Sequence, residues 1–379
     1  MLHKVLLAFV LLSSTTCVSL LAAPKGPAPS APPNDRAAVE GLALPFAKQR
    51  PWLGLVIGVT RPQGQQVYGY GQVKLEGQTR TPTADTLFEI GSITKTFTAT
   101  LLAEMVRGGT VRLDDPAQKY LPADIQLPRR DGRDITLLHL ATHSSSLPRD
   151  LPAIGLLALA AGDFDNPFAA IKNKTLQEGL ADIRLPRPIG CKVEYSNLGV
   201  GLLGMSLAGA AHAKSYEELL KARVTGPLGM KDTVITLSSE QRRRFPRCHR
   251  ADGQETKAWT FANLEACGAL HSTVHDLLSY VDAHLGRHKT PLAASFEMTT
   301  QPWRDRNQPD RYVGLCWMRQ TIGKRGYTFL WHNGGTYGSH SFLGFVPEKG
   351  IGVVVLCNGT NDVDDIGIKL LETLVTDKD

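Results

Sequence analysis

The sequence predicts an α/β (α+β) fold in which one antiparallel sheet is assembled from both ends of the chain, flanked by helices and interrupted by a mostly helical insertion. Residues 53–60 and 66–72 alternate or run apolar with Gly and Pro between them, the pattern of a strand hairpin. Strand patterns return near the C-terminus at 327–332, 339–345 and 351–358, linked by 333–338 and by Pro347-Glu348-Lys349-Gly350. Between the two sets lie helical runs at 151–161, 174–183 and 198–211, broken by 186–190. Strands at both ends with helices between them pack as a single layered sheet. The expected organisation is a sheet-containing region of 36–110 with 268–379, and a mostly helical region of 111–267.

At 379 residues, the chain is long enough to bury a large core, as one big domain or two. A net charge of +6 is modest and scattered, with one dense basic run at Arg242-Arg243-Arg244, Arg247 and Arg250. That run lacks interleaved aromatics and reads as a solvated loop, so no nucleic-acid partner is expected. Residues 1–23 have the pattern of a secretory signal: His3 and Lys4, an apolar stretch too short to span a membrane, and small residues ending at Ala22-Ala23. A Pro- and Ala-rich tether follows at 24–35. The expected product is a periplasmic or secreted monomer with no stable membrane span. Cleavage would leave Cys191, Cys248, Cys267, Cys316 and Cys357, an odd number with no Cys-x-x-Cys pair. Cys248 and Cys267 either close a loop as a disulfide or remain buried thiols.

The hairpin leads into Leu87-Phe88-Glu89-Ile90-Gly91-Ser92-Ile93-Thr94-Lys95, the head of an apolar helix. Ile93, Phe97, Leu101 and Met105 recur every fourth residue, Leu102 and Val106 widen the stripe, and Gly108-Gly109 stop it. A spacing of three puts the Ser92 hydroxyl and the Lys95 amine on one helix face, with the Ser92 N–H near the positive helix end. A serine attacks carbonyls only when its proton is removed, and a lysine beside it, or a partner that lysine helps to ionise, can do this. Ser-x-x-Lys alone is a loose motif, equally compatible with an unrelated surface lysine.

Residues 135–143 read as a short helix. His139 and His143, four apart, have zinc-like spacing, but no His-Glu-x-x-His stands here and structural histidines are the expectation. Glu194-Tyr195-Ser196-Asn197 sits at the mouth of a helix. A phenol near an ammonium can serve as a general base, and the Asn197 amide is placed to meet a substrate carbonyl or the Lys95 amine. Further on, Pro227-Leu228-Gly229-Met230 is a turn, 269–280 starts a helix with Ser272 as its expected cap, and 366–375 is a terminal helix.

Three elements thus stand in order: Ser92-Ile93-Thr94-Lys95, Tyr195-Ser196-Asn197, and Trp331-His332-Asn333-Gly334-Gly335-Thr336 on a late strand. This arrangement resembles the penicillin-recognising serine hydrolases: class C β-lactamases and their relatives among D-alanyl-D-alanine carboxypeptidases, endopeptidases and esterases. The likeness extends to the flanks 87–91, 135–143, 227–230 and Gly344-Phe345-Val346-Pro347. It implies the β-lactamase/DD-peptidase fold, Ser92 as the acylated nucleophile, and Lys95 and Tyr195 as the pair that moves its proton. It further implies Asn197, His332, Asn333, Gly334 and Gly335 as substrate contacts. The N–H of Gly335 would join that of Ser92 as an oxyanion hole. No metal or organic cofactor is implied, and the expected partner is a small-molecule or peptidoglycan-derived substrate.

One motif departs from the family. Where many β-lactamases carry Lys-Thr-Gly, this chain has His332-Asn333-Gly334. His332 therefore either meets a substrate carboxylate or packs beside Trp331 and orients the strand. The expected activity is hydrolysis of β-lactams or D-alanyl-D-alanine peptides through an acyl-enzyme, with a carboxylesterase or a non-catalytic penicillin- or peptidoglycan-binding module as alternatives. An ordinary α/β-hydrolase is not expected, since the chain has no Gly-x-Ser-x-Gly elbow.

Overall fold

Ile351-Gly352-Val353-Val354-Val355-Leu356-Cys357 is buried along its whole length, as a strand in the middle of a sheet must be. The computed structural model describes residues 34–152, 154–160 and 162–376, so the signal and all but the last two tether residues lie outside it. The main sheet has eight strands: β1 (Gly54–Arg61), β2 (Gly64–Gly71), β3 (Arg304–Gln308), β4 (Arg311–Val313), β5 (Met318–Ile322), β6 (Tyr327–Gly335), β7 (His340–Val346) and β8 (Ile351–Cys357). Their order is β2-β1-β8-β7-β6-β5-β4-β3, antiparallel at every step. The two chain ends meet at β1 and β8, where Val56 pairs with Leu356 and Gly58 with Val354.

Alternation along the central strands gives the sheet two apolar faces. Val354 and Leu356 join Val56, Leu330, Leu343 and Phe345 on one side. Val353, Val355 and Cys357 join Leu55, Ile57, Phe329 and Phe342 on the other. Helices α1 (Arg36–Lys48) and α5 (Asp364–Thr376) cover the second face with Val39, Ala43, Leu370, Leu371 and Leu374. The first face packs on α2 (Thr94–Arg107) and α4 (Val274–His284), with α3 (Asn197–Ala210) in the same core. Each aliphatic side chain buried this way contributes about 1.5–3 kcal/mol.

Helix α2 has its Ile93, Phe97, Leu101 and Met105 stripe in the core, and a helix so apolar is buried as expected, from Thr94 to Ala103 on every face. Its threonines are tolerated because each finds a partner. The Thr98 hydroxyl donates to the Ala266 carbonyl at 2.8 Å, Thr100 bonds the Tyr280 hydroxyl at 2.9 Å, and Thr94 Oγ1 accepts the Leu270 N–H at 3.1 Å. Such a helix is a rigid platform for whatever stands at its head.

Two sequence expectations change, and one open alternative is decided. The cap of α4 is Thr273, whose hydroxyl accepts the Asp276 N–H at 3.1 Å; Ser272 instead pairs with Phe88 in a two-residue strand. Cys248 and Cys267 are separate buried thiols, not a disulfide. The basic run is not a bare loop, since Arg242 to Arg244 end a short helix, Ser239–Arg244, and Arg243, Arg244, Arg247 and Arg250 pair with Glu76, Asp232, Glu255 and Asp165. No helix among the described residues is long and apolar enough to cross a membrane.

Candidate active site

Ser92 stands in the one-turn segment Gly91–Ile93 that runs directly into α2. Lys95, one turn later, is fully buried, and its Nζ lies 2.8 Å from Ser92 Oγ and 2.5 Å from the Cys267 carbonyl oxygen. The carbonyl fixes the amine, leaving its remaining bonding capacity for the hydroxyl. The same Nζ sits 4.9 Å from the centre of the Tyr195 ring, so the Ser92 hydroxyl, the amine and the Tyr195 ring stand together.

Tyr195 is held by its neighbours. Ser196 caps α3, accepting the Gly199 N–H at 2.8 Å and donating to the Pro148 carbonyl at 2.6 Å. His143 clamps the segment from below: its carbonyl accepts the Glu194 N–H at 2.7 Å, its Nδ1 accepts the Ser196 N–H at 3.2 Å, and its ring packs on Tyr195 at 4.6 Å. Burial and the neighbouring Lys95 charge push the His143 pKa well down, which keeps Nδ1 free to accept. His139 instead closes a capping box with Thr136. The two histidines thus have separate structural duties.

The substrate contacts expected from sequence fall into two groups. Asn197, Asn333, Gly334 and Gly335 line one cavity with Ser92 and Tyr195, about 580 Å³ and large enough for a drug-sized ligand. The Asn197 amide donates to Asp150 at 2.8 Å, and the Asn333 amide donates to Asp364 at 2.5 Å. His332 lies beneath the cavity wall, buried, with its ring 6.1 Å from Tyr195 and Nδ1 against the Asn333 carbonyl. Burial, reinforced by the Lys95 charge, pushes its pKa down to about 3, so it is neutral at working pH. This placement gives no support to a contact between His332 and a substrate carboxylate. His332→Lys should then fail to improve KM for carboxylated substrates. It should cost on the order of 3 kcal/mol, because a second buried ammonium beside Lys95 has no counter-charge. Thermal melts and KM on a carboxylated substrate check both.

The end of β6 approaches the head of α2 so closely that only glycine fits. A Cβ on Gly334 would lie 2.0 Å from the Ile90 carbonyl oxygen, and one on Gly91, which has φ +47°, would lie 2.7 Å from the Gly335 nitrogen. Beyond it, the Thr336 N–H bonds the Ser339 carbonyl across the hairpin to β7. Successive N–H groups of a strand point to opposite edges. The Gly335 N–H is thereby aimed away from β7, on a residue that lines the cavity with Ser92.

Glu89, which the sequence offered only as a flank, ties these parts together. Its buried carboxylate accepts the Trp259 N–H at 2.6 Å and the Thr336 hydroxyl at 2.8 Å. Trp259 belongs to an aromatic wall with Phe168, Phe261 and Tyr337, at centroid separations of 4.7–6.1 Å. Desolvation raises the Glu89 pKa from 4.5 to about 7, against the pull of its donors. Between those values the folded protein holds a proton that the unfolded chain releases, so this group makes stability fall as pH rises from 4.5 to 7 and level off above. The contribution is on the order of 3 kcal/mol. Melting curves of wild type and Glu89→Gln from pH 5 to 8 should show the advantage of wild type shrinking as pH rises; a constant difference would refute the assignment.

The aromatic wall, Arg149, Asp150 and Arg306 also line the cavity and were missed from sequence. They lie in loops or a short edge strand without periodicity. Only the proximity of Arg149-Asp150 to the Ser144 to Pro148 loop could have hinted at the first two.

With this geometry in place, comparison with known proteins is direct. A family profile described as Beta-lactamase matches residues 39–375. The D-alanyl-D-alanine-carboxypeptidase/endopeptidase AmpH of Escherichia coli K12 is 30% identical over 305 residues, covering 77% of this chain and 76% of that protein. A Beta-lactamase of Pseudomonas fluorescens is 28% identical over 355 residues, covering 85% and 93%. Among solved structures, the Beta-Lactamase/D-Alanine Carboxypeptidase of Pseudomonas syringae superposes with a TM-score of 0.76 at 21% identity, over 91% of this chain and 99% of that one. A class C beta-lactamase does so with a TM-score of 0.77 at 22% identity, over 91% and 96%. Carrying the family profile along almost its whole length and an AmpH-like sequence over three-quarters of it, the chain belongs to the beta-lactamase family of serine hydrolases.

Proposed function

We propose that this protein is an exported acyl hydrolase that cleaves β-lactams or D-alanyl-D-alanine peptides through an ester on Ser92. The observation that carries this reading is the 2.8 Å contact between Lys95 Nζ and Ser92 Oγ at the floor of a cavity that Tyr195 also lines. Ser92 Oγ attacks the carbonyl carbon, and its proton passes through the Lys95 and Tyr195 pair to the departing nitrogen as the C–N bond breaks. The developing oxyanion takes the N–H groups of Ser92 and Gly335, whose orientation is set before substrate arrives. Water then repeats the sequence on the ester, returning the hydroxyl. The names of AmpH and the Pseudomonas fluorescens enzyme support both substrate classes. The signal-like pattern of residues 1–23 supports export to the periplasm or beyond, where a monomer would meet peptidoglycan fragments.

The neutral His332 favours a second reading, a carboxylesterase of the same fold, since it offers no charge to a substrate acid. Intact-mass measurement after exposure to a fluorescent penicillin, a D-Ala-D-Ala peptide and an aryl ester separates the two. A mass increase or turnover with the first two supports the hydrolase of β-lactams or D-alanyl peptides, turnover of the ester alone supports the esterase, and no reaction with any overturns the acyl-enzyme.

A further inference from the structure

We propose that the Arg306 guanidinium is the anion subsite of this cavity and receives the carboxylate on the leaving-group side of the substrate. The inference rests on the Ser92 acyl-enzyme reading and supplies what His332 does not.

Cleavage of a D-alanyl-D-alanine peptide releases an amino acid whose carboxylate must sit somewhere in the pocket while the bond breaks. A desolvated carboxylate needs a cation or several donors to offset its lost hydration. The cations near Ser92 are mostly committed. Lys95 is engaged by Ser92 and the Cys267 carbonyl. Arg149 lies over the Tyr195 ring at 4.9 Å, with its Nε 3.8 Å from Asp150. His332 and His143 are buried, with pKa values pushed down, and carry no charge. The cavity wall at Asn333 and His340 is backed by Asp364, which accepts the Asn333 amide and offers a substrate anion no cation.

Arg306 is different. It stands on β3, half-buried, lining the same cavity as Ser92 and Tyr195, and it lies near enough to His143 to help depress that histidine's pKa. No carboxylate or other hydrogen-bond partner engages it among the described residues. Burial, with the like charge of Arg311, disfavours its cationic form, which an arginine nevertheless keeps. A partly desolvated guanidinium without a counter-ion is a site waiting for one. Its planar fork matches a carboxylate in two parallel hydrogen bonds, which a point-charge lysine cannot reproduce. In this chain the cation reaches the substrate from the edge of the sheet instead of from position 332 on β6.

The test compares an N-acyl-D-alanyl thioglycolic acid with its methyl ester, two substrates that share the scissile thioester and differ in one charge. In wild type, kcat/KM should favour the acid. In Arg306→Ala the ratio of acid to ester should fall tenfold or more, with the change in KM of the acid rather than in kcat. Arg306→Lys should recover part of the ratio, and added salt should erode it in wild type. An unchanged ratio in Arg306→Ala, or equal losses on both substrates, would overturn the assignment. Failure of wild type to process either thioester would instead overturn the acyl-enzyme reading beneath it, so the two failures are distinguishable.

Discussion

Ser92→Ala is expected to remove turnover almost completely, with kcat falling on the order of 10⁴ to 10⁶-fold, and to abolish the mass increase seen with penicillin. Nothing else in the cavity can take over the attack. Lys95 is occupied by two oxygens, and the buried thiol of Cys267 is pushed up to about 12 by desolvation, far from a thiolate at neutral pH. The loss should be chemical rather than structural. Alanine removes one hydroxyl of a half-buried residue, and Lys95 keeps the Cys267 carbonyl, so stability should move by about 1 kcal/mol or less. Cys191 is the exposed thiol among the described residues and the one plausible source of stray labelling, so the variant is best read in a Cys191→Ser background. Penicillin that still adds its mass there would mean that a different nucleophile does the work.

How much of this was legible beforehand follows from where the information lies in the chain. The head of α2 was readable because two independent signals coincide there: a fourfold apolar repeat that fixes the helix, and the Ser92 to Lys95 spacing that fixes a shared face. The central strands announced themselves through continuous β-branched runs such as Ile351 to Leu356, buried on both faces. Strands β3 to β5 did not. Arg304-Asp305-Arg306-Asn307-Gln308 carries no alternation, because an edge strand can expose polar side chains and needs no apolar face. Helix α1 was missed for a related reason: Pro45 lies inside it and only Val39 and Ala43 are buried, too thin a stripe to read. The cap of α4 was misplaced by one residue, because Ser272 and Thr273 are both good caps and only the pairing of Ser272 with Phe88 excludes it.

The site was legible by motif and not by environment. A motif assigns residues to a line of text, but charge state depends on burial. The neutrality of His332 comes from desolvation and from the Lys95 charge, neither visible at that position in the chain. Glu89 likewise read as a flank. Its role as the tie between Trp259 and Thr336 joins partners 170 and 247 residues away. Contacts at that separation leave no local trace.

Lys95 and Tyr195 should behave as one proton-transfer unit. Ordinary lysines and tyrosines both hold their protons at neutral pH, so neither alone is a good base for a serine hydroxyl. Here the amine touches Ser92 Oγ at 2.8 Å and sits 4.9 Å from the centre of the Tyr195 ring. Removing either breaks the same path. Lys95→Met keeps the buried volume of the stem and Tyr195→Phe keeps the ring packed on His143, so both variants should fold, as thermal melts would verify. Each single change should lower the rate of Ser92 acylation about 10³-fold or more, and the double variant should be scarcely worse than the weaker single. Additive free energies, with the double variant losing the product of the two factors, would mean that the groups act in separate steps. In that case Lys95 would serve only to orient the Ser92 hydroxyl, and the proton would have to leave by another route.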